Sequence, residues 1–151
     1  MSRSDTWGAY DPAIAADFVS EQEGRKLTAY KCSAGAWTIG YGHTEGVKEG
    51  DTVSPSEADA LLVEDLRKHA EALAPYVNAP VTRGQYIAIL SLAFNVGVSA
   101  VKKSSLLRFM NLRKVEDAAA EFEKWIYAGG KESAGLKARR AREKALFLEG
   151  E

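Results

Sequence analysis

Between Glu23 and Thr44 the chain reads EGRKLTAYKCSAGAWTIGYGHT, and glycines at 24, 35, 40 and 42 interrupt it too often for a stable helix. The alternation around those glycines predicts a short twisted hairpin instead, with Leu27 to Tyr30 and Trp37 to Tyr41 as strands and Ser33-Ala34-Gly35-Ala36 between them. Such a hairpin folds Thr38 back towards Cys32, the only cysteine in the chain. Upstream, Asp11-Pro12 is a helix start, and Ile14, Ala15, Phe18 and Val19 recur at helical spacing up to Glu23. Gly24 is predicted to close that helix with a left-handed turn, leaving the Glu23 carboxylate facing the hairpin. A carboxylate, a thiol and a hydroxyl then converge on one cleft. A lone glutamate at a helix end is most often solvated. The negative end of the helix dipole, combined with partial burial, would instead favour its protonated form, the state a general acid needs.

The rest of the chain reads as mostly helix. Ser54-Pro55-Ser56-Glu57 combines a capping box with proline at the first helical position, and Ala58, Leu61, Leu62, Asp65, Leu66, His69 and Leu73 carry that helix to about Ala74. Glu45 to Thr52, with Gly46 and Gly50, is a third short strand or a loop. Thr82 and Gln85 form a second capping box, and the segment from Gln85 to Phe94 is apolar almost all round, which predicts a buried central helix. Val101 to Leu112, Lys114 to Trp125 and Ala134 to Leu148 follow as helices, with Tyr127-Ala128-Gly129-Gly130 as the break before the last. Arg139, Arg140 and Arg142 are expected to be mostly solvated.

At 151 residues the chain is the size of one domain, and its 46% hydrophobic and 27% charged content is that of an ordinary globular sequence. A net charge of −1 gives no general affinity for nucleic acid or membrane. The charge is uneven, however: residues 1–98 hold 8 Lys+Arg against 13 Asp+Glu, and residues 99–151 hold 12 against 8. The basic C-terminal helix could therefore touch an anionic cell envelope, or its charges could simply solvate helix faces. One cysteine excludes an internal disulfide, and with two histidines it makes no zinc site, so neither metal nor cofactor is expected. The opening residues, Met1-Ser2-Arg3-Ser4-Asp5-Thr6-Trp7, have no apolar core of signal-peptide length, so synthesis in the cytoplasm is expected.

Glu23-Gly24, Ala29-Tyr30 and Trp37 to Thr44 resemble the signature of the phage-type lysozymes, the glycoside hydrolases of tailed-phage endolysins. Phe94-Asn95-Val96-Gly97, Ser105-Leu106-Leu107, Trp125, Gly135-Leu136, Arg139-Arg140 and Glu143 are similar to later landmarks of that family, in the same order. The resemblance implies that Glu23 is the acid, with Cys32 and Thr38 as its catalytic partners. Family members often carry aspartate where this chain has Cys32. It further implies that Gly42, Phe94 and Asn95 meet substrate, that His43 pairs with Asp65, and that Arg139 orients Glu23. Asn95 reads equally as an amide at a helix C-terminus before the Gly97 turn.

The expected fold is α+β and mostly helical, lysozyme-like, in a single domain spanning 1–151. It has a small sheet lobe at about 24–53, a connecting helix, and a helical lobe at about 75–148 that includes the first helix. The resemblance implies peptidoglycan as substrate, the β-1,4 bond between N-acetylmuramic acid and N-acetylglucosamine as the one cleaved, a monomer, and access to the wall from the host cytoplasm once the membrane is breached. Two other readings stay open. Cys32 and His43 suit a cysteine peptidase or amidase on the stem peptide, and a non-catalytic wall-binding domain would need none of this chemistry.

Overall fold

The structure is a computed structural model and describes residues 3–149. In chain order it contains β1 (Ser4–Asp5), α1 (Ala16–Gln22), β2 (Lys26–Lys31), β3 (Trp37–Gly40), α2 (Pro55–Leu73), β4 (Val81–Thr82), α3 (Arg83–Val96), α4 (Val98–Lys102), α5 (Ser105–Asn111), α6 (Val115–Glu121), β5 (Tyr127–Ala128), β6 (Lys131–Glu132) and α7 (Ala134–Leu148). The chain forms two compact units, Pro12–Lys68 on the one hand and Met1–Asp11 with His69–Glu151 on the other. The division falls inside α2, and α1 belongs with the sheet, not with the helical unit as expected from the sequence.

In the Pro12–Lys68 unit, Pro12 opens a 3-10 turn (Pro12–Ala15) before α1 begins at Ala16. β2 and β3 pair antiparallel, with Tyr30 opposite Thr38, Lys31 opposite Trp37, and a register shift before Lys26 meets Gly40. Of the two alternatives for Glu45 to Thr52 the structure has the loop, tied to β2 by a bridge between Thr28 and Thr52 with Ala29 N–H to Asp51 O and Val53 N–H to Leu27 O, both 2.9 Å. Turns at Gly46 (φ 73°) and Gly50 (φ 88°) use up the residues a longer strand would need. The capping box before α2 forms as expected: Glu57 N–H donates to Ser54 Oγ at 3.1 Å, and Ser54 N–H donates to Glu57 Oε1 at 2.9 Å.

In the helical unit, α3 starts from the reciprocal Thr82 and Gln85 capping box and buries every residue from Gln85 to Ala93. Each of its large apolar side chains contributes about 1.5–3 kcal/mol by leaving water. The chain's start belongs here too. β1 pairs with β4, Trp7 Nε1 donates to Ala70 O at 2.9 Å, and the Tyr10 hydroxyl donates to Val81 O at 2.7 Å. Trp7 and Tyr10 both pack on the Tyr86 ring, at 4.4 and 4.9 Å between centroids.

Two helical expectations are corrected. The predicted helix Val101 to Leu112 is broken, because the Ser104 side chain accepts from Leu107 N–H and so starts α5 afresh. The glycine pair after α6 is more than a break: Gly129 (φ 59°) and Gly130 (φ 81°) make the two-residue turn of the β5–β6 hairpin. The predicted span of α7 agrees with the structure, and Ser133 caps it through Leu136 N–H.

α3 meets α7 tightly at Gly84, where a Cβ would fall inside contact distance of the Leu146 carbonyl. Neither partner there is a flexible side chain, so the helices themselves would have to part. Gly84→Ala is therefore expected to cost about 1–3 kcal/mol despite alanine's better helix propensity. Urea unfolding measures it, and a variant as stable as the parent would show that α7 can slide at no cost.

Candidate active site

Glu23 closes α1. Its N–H donates to Val19 O at 3.1 Å, while its own backbone is already extended (φ −101°, ψ 145°). The left-handed turn predicted at Gly24 is absent, since Gly24 is not among the positive-φ glycines. β2 begins at Lys26, so the chain leaves the helix straight into a strand and needs no reversal there. Glu23 is half-buried.

The loop after β2 is tight. Cys32 N–H donates to Ala36 O at 3.0 Å, and Gly35 N–H, at φ 86°, donates back to Cys32 O at 2.8 Å. Ser33, Ala34 and Gly35 thus form a three-residue hairpin loop with glycine at its left-handed position. Strand periodicity then puts Tyr30, Cys32, Ala36 and Thr38 on one face of the hairpin. Thr38 is buried and its hydroxyl donates to Ala36 O at 3.0 Å. The hydroxyl also lies within hydrogen-bond reach of the half-buried Cys32 thiol. Turning its one proton from Ala36 O to the sulfur, the hydroxyl stabilises the thiolate and, with the backbone N–H groups of Ala34 and Ala36, holds the thiol below its ordinary range.

A pH dependence follows. Alkylation of Cys32 by iodoacetamide is expected to rise with pH around a midpoint below that of an unperturbed thiol, and Thr38→Val should move that midpoint upward. A midpoint that ignores the Thr38 substitution would remove the hydroxyl from the site.

Past β3 the chain reverses again. Ile39 and His43 exchange both backbone hydrogen bonds at 2.9 Å, with Gly40 (φ 65°) and Gly42 (φ 87°) on either side of Tyr41. Gly42 is exposed at the tip of this loop. His43 is fixed at both ring nitrogens, Nδ1 lying 2.8 Å from Asp65 Oδ2 and Nε2 lying 2.9 Å from Glu45 O. The Glu45 carboxylate in turn meets Lys68 Nζ at 2.6 Å. Asp65 and Lys68 are one turn apart on α2, so two contacts brace the loop against a single helix face. The Glu45–Lys68 contact was not anticipated from sequence; the spacing of Asp65 and Lys68 was its only signal there.

The remaining candidates lie in the helical unit. Phe94 is half-buried with its ring 5.4 Å from that of His69, and Asn95 is exposed in the last turn of α3. The C-cap is Gly97 (φ 98°), whose N–H bonds Ala93 O at 2.8 Å, so Asn95 is not the capping amide.

The expectation that Arg139 and Arg140 are solvated is overturned, for they are 5% and 1% exposed; Arg142 is exposed as expected. Both converge on Glu143, which is fully buried. Arg139 Nε and Arg140 Nη2 each donate to Oε2 at 3.2 Å, and Ser91 Oγ donates to it at 2.6 Å. Arg140 Nε approaches Oε1 at 2.6 Å as an ion pair without a directed hydrogen bond. Arg139 is also held by Ser91 O at 3.2 Å, and Arg140 by Trp125 O at 3.3 Å. Burial pushes the Glu143 carboxyl above its usual range, against the opposing pull of Arg140, Ser91 and Arg139. The helical spacing of 139, 140 and 143 was the available signal, but nothing in sequence shows which face of α7 is inward.

A bulged hairpin after a short helix, and a helical unit built on one buried helix, define an α+β fold of the lysozyme-like class. Residues 20–143 match the Phage lysozyme family, and the chain belongs to that family. It is 43% identical over 133 residues to an endolysin of Acyrthosiphon pisum secondary endosymbiont phage 1, covering 85% of this chain and 91% of that one. To the endolysin of Salmonella phage P22 it is 41% identical over 135 residues, covering 86% and 92%. Among solved structures, the muramidase domain of SpmX from Asticaccaulis excentricus is similar with a TM-score of 0.84 and 37% identity, covering 89% and 95% of the two chains.

Proposed function

We propose that this chain is a lysozyme (EC 3.2.1.17) that hydrolyses the β-1,4 bond between N-acetylmuramic acid and N-acetylglucosamine in peptidoglycan, and that it serves as an endolysin. Family membership over residues 20–143 supports the substrate and the bond. The observation that carries the residue assignment is the hairpin face on which the Thr38 hydroxyl lowers the Cys32 thiol, close in sequence to Glu23 at the end of α1. Glu23 protonates the departing glycosidic oxygen. A water attacks the anomeric carbon from the opposite face and gives its proton to the Cys32 thiolate, with Thr38 positioning both; the product has inverted configuration. The lowered thiol range makes this base more available near neutrality than an ordinary cysteine would be. Gly42, Phe94 and Asn95 contact the glycan, and His43, Asp65 and Arg139 hold the surrounding structure. No helix among the described residues is long and apolar enough to cross a membrane. The protein reaches the wall from the host cytoplasm once the membrane is breached.

The cysteine peptidase reading fares worse, because it needs the His43 imidazole beside the Cys32 thiol. Both ring nitrogens are instead engaged by Asp65 and Glu45. One assay separates the three classes: new reducing sugar ends on purified walls are expected, free amino groups would indicate the amidase, and neither would indicate a binding domain. In the same assay Cys32→Asp should keep activity and Cys32→Ser, a far weaker base, should lose most of it. A fully active Cys32→Ser enzyme would reduce Cys32 to a packing residue.

A further inference from the structure

The positive charge of the chain's second half does not lie on its C-terminal helix. On α7, Lys137 pairs with Glu132, Arg139 and Arg140 with Glu143, and Lys144 with Glu123. Residues 102–114 hold five basic side chains, Lys102, Lys103, Arg108, Arg113 and Lys114, and no acidic one. The rest of residues 99–151 carries seven basic and eight acidic residues, so the whole excess belongs to this short stretch. None of its five cations forms an ion pair among the described residues.

The fold gathers them at the corner made by α4, α5 and the segment between α2 and β4. Lys102 Nζ stands 5.5 Å from the centroid of the Tyr76 ring, and Asn111 Nδ2 donates to Tyr76 O at 2.9 Å, which ties Tyr76 to the end of α5. The Arg108 guanidinium lies 5.5 Å from the Phe109 ring. Arg113 takes a left-handed backbone (φ 63°), and the reversal brings Lys114 N–H back to Phe109 O at 2.9 Å. Tyr76, 41% exposed, and Leu112, 58% exposed, belong to the same corner.

Cations left unneutralised within a Debye length of one another, about 8–10 Å at ordinary salt, attract an anionic polymer even on a chain whose net charge is −1. Three features choose the polymer. α5 turns Leu106, Leu107 and Met110 inward, so it presents no broad apolar face to a lipid surface. At seven residues it is a poor reader of a duplex groove. An exposed aromatic ring beside cations is instead the element on which an unpaired base stacks. We propose that the α4–α5 corner binds single-stranded nucleic acid, its cations contacting phosphates and Tyr76 stacking on a base. Such a surface tracks the backbone and reads no sequence.

Fluorescence anisotropy of the full chain with a labelled oligothymidylate of about ten nucleotides tests this. Micromolar binding at low salt is expected, and log K should fall with log[salt] at a slope of about −2 to −3.5, because each phosphate neutralised on a single strand contributes about −0.7. Lys102→Gln with Lys114→Gln should flatten that slope by about 1.4. Tyr76→Leu should weaken binding about 5–100-fold and leave the slope alone. The same two charges removed from α7, by Lys137→Gln with Lys144→Gln, should change neither quantity. All these side chains are exposed or half-buried, so the fold is kept. Absent binding at about 100 µM protein in low salt, a slope that ignores Lys102 and Lys114, or an equal effect of the α7 pair would overturn the proposal. So would displacement of the label more readily by a duplex of the same length, or by phosphatidylglycerol vesicles, than by the unlabelled strand.

Discussion

Glu23→Gln is expected to reduce wall hydrolysis by about 10²–10⁴-fold, the range that loss of a positioned general acid removes, because the amide keeps the shape and cannot deliver a proton. Fold should be untouched. Glu23 is a half-buried residue at the C-terminus of α1, and its backbone bond to Val19 O does not depend on the side chain. The measurement is release of reducing ends from purified walls, alongside thermal unfolding. Retention of more than about a tenth of parental activity is too small a loss for such an acid and would move the role elsewhere.

The largest stability effect is expected far along the chain, at Glu143. Replacing it with alanine leaves the Arg139 and Arg140 guanidinium groups buried without their shared carboxylate, and breaking a buried ion cluster in this way costs about 3–5 kcal/mol. For a chain of this length that is a fall in Tm of about 10 °C. Arg142→Ala, one residue earlier on an exposed face, should change stability by less than about 0.5 kcal/mol. The triple change Arg139→Met, Arg140→Met and Glu143→Leu is the discriminating control. Because well-packed apolar groups can replace a buried ion cluster with little loss, it should be more stable than Glu143→Ala alone. If the triple variant is the less stable, the charges contribute specific bonds that packing cannot replace.

Local chemistry was legible where a few adjacent residues decide the outcome. Ser54 with Glu57 and Thr82 with Gln85 each satisfy the donors at their helix start through a residue three positions away, and both boxes form. The all-round apolar run before Phe94 predicted a buried helix for the same reason, since no neighbour further along the chain could make it amphipathic. The hairpin carrying Cys32 and Thr38 was legible from its glycines. What failed to show were choices made by distant partners. Ser104 was a plausible mid-helix residue until its capping bond to Leu107 split the segment. Arg139 and Arg140 read as solvated because their burial depends on Ser91, 48 residues away in sequence for Arg139. Gly24 looked like a helix stop that needs a reversal, whereas the strand beginning at Lys26 only needed the chain to continue. In the site, residue types and order could be read, but the engagement of both His43 nitrogens could not, and it is what weighs against the peptidase chemistry.

The chain's first eleven residues and its last eighty-three belong to one unit, and Pro12–Lys68 is threaded between them. During synthesis, therefore, Ser4–Asp5 and Trp7 leave the ribosome long before Val81–Thr82 and Ala70 exist to receive them. The inserted segment can become compact while the opening residues still wait, reversing the usual order in which an N-terminal piece folds first. Trp7 is thus a natural clock for that last step. Its indole should enter its buried environment against Tyr86 only as the helical unit closes, so in a chain with Trp37 and Trp125 replaced by phenylalanine its fluorescence in refolding should trail the formation of the hairpin that carries Cys32.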